Sequence, residues 1–178
     1  MNAPSNAPRG SAFADAQAAA RAIDLALPMI EPALRDPAVS GGGFLYIVVM
    51  DPGLGPADGS FERAVLAERA AGGPRERWDA DYAAFARAKA RLAWRSSAGG
   101  HALQALRPHA LREGDSLLWG AVCLDGIAVG VSGAHPWYDE AFATAVAANL
   151  RALAKQRHAA ARAADRLVAA AAGIAGGR

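Results

Sequence analysis

Three observations predict a mixed α/β domain of the α+β kind, in which helices cover an antiparallel sheet. Two β-rich runs, Leu117 to Leu124 and Ile127 to Val131, are joined by Asp125-Gly126, the dipeptide that best accepts the positive φ angles of a two-residue type I′ turn. An unbroken apolar run, Phe44 to Met50, is too short for a buried helix and rich in β-formers, as a central strand should be. Between and around these lie stretches whose apolar residues recur every three or four positions. Both strand pairs can close locally, and local closure makes antiparallel pairs.

Residues 1 to 10 are rich in Pro, Asn and Ser without an apolar period. They predict a tail with too little burial to offset the entropy of ordering. From Ser11 a helix is expected, with Ile23, Leu27, Ile30 and Leu34 on one face and Pro28 and Pro32 kinking or ending it. Gly41-Gly42-Gly43 breaks the chain before the strand at Phe44. After Asp51, the turn-rich PGLGPADGS reverses it into a second, more polar strand around Phe61 to Glu68.

Beyond Gly72-Gly73-Pro74, a helix is predicted from Trp78 to about Arg95, with Trp78, Tyr82, Phe85 and Leu92 on one side and Lys89 on the same stripe. His101 to Leu111, interrupted by Pro108, allows at best a short helix. The late hairpin follows. Pro136 then suits a first helical position, and Asp139 and Glu140 favour the helix dipole. Phe142, Val146, Leu150 and Leu153 form that helix's apolar stripe. The alanine-rich, polar stretch after it reads as an extension, residues 154–178, that projects or packs on a partner.

With 178 residues, 53% of them apolar, one core is the default. Nineteen Lys+Arg against seventeen Asp+Glu leave a net charge of +2, which excludes a nucleic-acid-binding stripe on charge grounds. No apolar stretch approaches the ~20 residues that cross a bilayer, so no membrane partner is expected. The single Cys123 cannot form an internal disulfide and reads as a small apolar residue, which points to the cytoplasm.

The stretch LLWGAVCLDGIAVGVSGAHPWYDEAFATAVAANL, with Gly130, Val131, Ser132, Gly133, Asp139 and Glu140, resembles the end of the GlcG/HbpS-like haem-binding family. YIVVMDPG resembles its first strand and turn, and ARAKARLAW its middle helix with an alanine-flanked lysine, here Lys89. The resemblance covers most of residues 15 to 153. It implies a profilin-like three-layer α/β/α domain with an antiparallel sheet, assembled as a homo-oligomer, some of whose members bind haem or another tetrapyrrole. The loop after Asp51, the stretch REGDSLLWG and everything beyond Leu153 depart from the family pattern.

Several residues are candidates for a ligand site. Lys89 puts an ammonium on a core-facing stripe, which costs several kcal/mol unless it is paired or lines a polar cavity; it either snorkels or pairs structurally, or it meets an acidic ligand. Ser132 and Gly133 lie where a strand delivers the chain to a helix N-terminus, so backbone N–H groups there either cap the turn or receive an anion. His135, and His101 after it, are the better of four histidines as axial ligands for haem iron. None has the partner spacing of a zinc site. Trp119, Trp137 and Tyr138 offer flat faces to a macrocycle or to the core.

Gly130-Val131-Ser132-Gly133-Ala134 nearly spells a nucleophile elbow but lacks its final glycine and a parallel sheet. Gly114-Asp115-Ser116-Leu117 matches a hydrolase signature in the wrong place. The residues therefore suggest a binding protein for a small planar or acidic molecule. Two other readings stand beside it: an accessory catabolic enzyme using Lys89, His135 or Asp139 as acid or base, and an oligomeric scaffold or sensor partner built on the extension.

Overall fold

The computed structural model describes residues 10–171, with side chains as far as residue 164. The expected tail, except for Gly10, and the last seven residues of the extension lie outside the described residues. The chain order is α1 (Ala16–Ala33), β1 (Phe44–Met50), α2 (Phe61–Ala64), β2 (Val65–Gly72), α3 (Tyr82–Ser96), α4 (Gly100–Leu106), β3 (Ala121–Leu124), β4 (Ile127–Ser132) and α5 (Pro136–Ala171), with single 3₁₀ turns at Arg75–Arg77 and Pro108–Ala110. The four strands form one sheet in the order β2-β1-β4-β3, and every neighbouring pair is antiparallel. The chain is therefore an α+β fold. No helix among the described residues is long and apolar enough to cross a membrane.

Alternation along the strands separates two cores. Leu45, Ile47 and Val49 of β1, with Ile127, Val129 and Val131 of β4, face α1 and α5. Tyr46, Val48, Met50 and Ala128 face α3. Every residue of β1 is buried, because helices lie on both sides of it. The β3–β4 hairpin pairs Leu124 with Ile127 across Asp125 and Gly126, whose φ angles are 51° and 85°, as a type I′ turn requires.

Several boundaries differ from the sequence expectation, each for a local reason. The second strand begins later, at Val65, because Ser60 caps a one-turn helix by accepting a hydrogen bond from the Arg63 N–H at 3.3 Å. The middle helix starts at Tyr82, where Asp81 caps the Ala84 N–H at 2.9 Å. Trp78 lies outside it, among Phe44, Tyr46 and Tyr82. The face that α3 turns to the sheet is Ala86, Lys89, Ala90 and Ala93, with Phe85 largely exposed. A methyl at Gly130 would come within 2.5 Å of the Ala86 carbonyl, and at that closeness only small side chains fit between helix and sheet.

The ladder of β3 begins at Ala121 rather than Leu117, since Gly120, at φ 114°, turns the chain beside Val131 and Asp139. Helix α1 passes Pro28 and ends just after Pro32. Among the described residues, α5 continues past Leu153 as far as Ala171.

Candidate functional site

The end of the sheet where β1 begins and β4 ends is held together by three stitches. Ser40 Oγ donates to the Gly133 carbonyl at 3.1 Å and accepts from the Gly43 N–H at 3.0 Å. The His135 N–H donates to the Val39 carbonyl at 2.9 Å. Gly133, at φ 138°, lies so close to β1 that a Cβ would stand 2.3 Å from the Phe44 carbonyl. Glycine is required there.

Beneath this turn sits a buried ion pair. Lys89 Nζ donates to Asp139 Oδ2 at 2.8 Å and to the Val131 carbonyl at 2.9 Å, with the two side chains 3% and 2% exposed. The other carboxylate oxygen of Asp139 accepts the Ala134 N–H at 2.9 Å. Burial pushes the Lys89 amine down and the Asp139 carboxyl up to about 6, each against the attraction of its partner. The pair ties α3, the end of β4 and the first turn of α5 to one point.

The turn thus receives an anion, as expected of a strand-to-helix junction, but the anion is the protein's own Asp139. Lys89, Ser132 and Asp139 are all buried and none lines the open cleft above them. Lys89 and Asp139 therefore lack the contact with a substrate that acid–base chemistry needs.

That cleft encloses about 480 Å³ between Gly41, Gly42 and Phe44 on one side, Arg77, Asp79 and Tyr82 on another, and Gly133, Ala134 and His135 on the third. Its size is that of a small-molecule site. The Tyr82 hydroxyl donates to Asp79 at 2.7 Å, which engages that carboxylate and pushes the phenol up to about 12. Arg77 makes no ion pair among the described residues and faces the same space as the His135 imidazole. Arg77 is exposed and therefore available to a ligand, whereas His135 is half-buried with its Nε2 3.4 Å from the Pro37 carbonyl.

The other expected site residues divide by place. Gly133 and His135 line the cleft. Trp119 stacks on His101 with ring centroids 3.7 Å apart and lines a separate groove with Leu117, Leu118, Pro136 and Trp137. His101 is not among the residues that line the cleft at His135. Tyr138 packs into the α1–α5 core beside Phe142. Cys123 is half-buried on β3, where burial raises its thiol pKa. Asp115 binds Arg95 and the Arg112 N–H, so the Gly-Asp-Ser-Leu stretch is a clamped loop.

Sequence reasoning missed Ser40, Arg77 and Asp79. Ser40 stood before a glycine run and read only as part of a breaker. Arg77 and Asp79 belong to a polar connection with no period to mark them.

Haem, raised by the family resemblance, would need an axial nitrogen, cations for its propionates and broad apolar faces for its ring. His135 and Arg77 supply the first two in kind. The walls do not fit a macrocycle, since apart from Phe44, Tyr82 and His135 they are glycine, alanine, Arg77 and Asp79. Among the described residues no three His, Cys, Asp or Glu side chains gather as a metal site. No protein-family model matches the chain. No curated protein matches it either.

Proposed function

We propose that this protein is a small-molecule binding module that holds a small planar acid in the cleft between the Gly41–Gly42 loop, the α3 entrance and the turn before α5. The observation that carries this reading is that Arg77, whose guanidinium has no ion pair among the described residues, and His135 line one cleft of about 480 Å³. Arg77 offers a planar fork that matches a carboxylate, and Phe44 and Tyr82 offer aromatic surface to a ring beside it. The floor is rigid because the Lys89–Asp139 pair and the Ser40 stitch hold the turn. A preformed cleft lowers the ordering cost of binding.

Calorimetric titration with benzoate tests the reading. Binding in the micromolar to millimolar range is expected, and Arg77→Ala should weaken it at least tenfold, the equivalent of about 1.4 kcal/mol, without lowering the melting temperature. Unchanged affinity in that variant would remove Arg77 from the site. Absence of binding by benzoate and phosphate would sink the proposal. Haemin titration runs beside it, where a saturable Soret shift would restore a tetrapyrrole as the ligand.

A further inference from the structure

The strip that closes one side of the cleft also forms the wall of a second, chemically different space. His135 lines the cleft, while Pro136 and Trp137 line a groove of about 280 Å³ with Leu117, Leu118 and Trp119. The His135 and Trp137 rings stack at 5.5 Å with their planes 22° apart, so the linings of the two spaces touch at this pair of rings. Leu117, Leu118 and Trp137 are 63%, 49% and 59% exposed. Single exposed apolar residues are ordinary, whereas several sharing one concave surface mark a binding site. No charged side chain lines this groove.

From this juxtaposition we infer that the ligand is an elongated amphipathic acid, its carboxylate at Arg77 and His135 and its apolar chain laid across Trp137 into the Leu117–Trp119 groove. The inference rests on the cleft reading and extends it. Charge complementarity fixes which end enters the cleft, and the apolar lining next door fixes what the other end must be. Stacking on His101 holds Trp119 in place as the far wall.

A straight-chain carboxylate series, acetate, butanoate, octanoate and dodecanoate below its micelle concentration, provides the test by calorimetry and tryptophan fluorescence. Each methylene that leaves water for the groove should tighten binding by about fourfold until the groove is filled. Trp137→Ala and, separately, Leu118→Ser should flatten that rise, and Arg77→Ala should weaken every member alike. Both groove side chains are exposed, so the variants should retain the wild-type melting temperature.

If benzoate binds but affinity is flat along the series, the extended-ligand inference fails while the cleft reading stands. If neither benzoate nor any alkanoate binds, both fail. Dodecanol binding as tightly as dodecanoate would also overturn the inference, because the acid would then have no role. A fall in molar mass by light scattering for Trp137→Ala would assign the groove to a second copy of the chain instead.

Discussion

Lys89 and Asp139 show how much one buried contact can decide. Their charges are almost fully removed from water, and each is satisfied by the other and by the backbone of β4 and the following turn. Removing one partner leaves an uncompensated charge, so Lys89→Met should cost about 3–5 kcal/mol in urea unfolding. The double variant Lys89→Met/Asp139→Leu should recover most of that loss, since two apolar groups of similar volume need no partner. If the double variant is no better than the single, the pair is not what holds the turn.

The same site has a pH signature. Asp139 binds its proton more tightly folded, at about 6, than at its ordinary 3.8. Its contribution to stability is therefore present below about 4 and is lost as the pH rises to 6. Lys89, pushed down, binds its proton less tightly when folded, so its contribution rises toward its ordinary 10.5. Wild-type stability should fall between pH 4 and 6 by a component that Asp139→Asn lacks. Parallel pH profiles for the two proteins would contradict this. The lysine was conspicuous in the sequence because a charge stood on a core-facing stripe; its partner, fifty positions away, carried no local mark.

At the scale of elements, the spacing between α3 and the sheet governs which residues are core. Gly130 lets the helix backbone approach, and the alanines Ala86, Ala90 and Ala93 fill the thin gap. Gly130→Val should force the two layers apart and cost about 1–3 kcal/mol or more, measured as a shift in the denaturation midpoint. A loss under 0.5 kcal/mol, on the scale of ordinary surface changes, would mean the layers are less tightly fitted. This closeness also explains why the aromatic stripe expected on the helix was misplaced. Periodicity marks which residues share a side, but Phe85 and Trp78 were too large for the narrow gap, so alanine took the buried face. The late hairpin was legible because its turn chemistry is confined to two residues.

At the scale of the whole molecule, α5 joins the sheet core to the chain's far end. Its first half buries Phe142, Val146 and Leu150. Farther on, Arg157 bridges to Asp15 at 2.8 Å and His158 meets the edge of Phe13. Truncation after Leu153 should therefore lower stability by roughly 1 kcal/mol, since the ion pair is surface-exposed. A melting temperature equal to that of the full chain would deny Arg157 and His158 a role in anchoring α5. Light scattering on the same protein tests the scaffold reading, which requires the truncation to reduce molar mass.

The sequence by itself determined what short-range chemistry controls: a positive-φ turn at Asp125-Gly126, a continuous buried strand at Phe44–Met50, a proline start for the last helix and the antiparallel closure that follows from local hairpins. Only the tertiary structure decided which distant groups meet at the sheet's end, pairing Lys89 with Asp139, placing Arg77 and His135 on one cleft and setting Trp137 and Leu117 on one groove. Turn and helix rules act over a few residues, whereas these meetings depend on how closely layers pack, and that distance is set by every side chain between them.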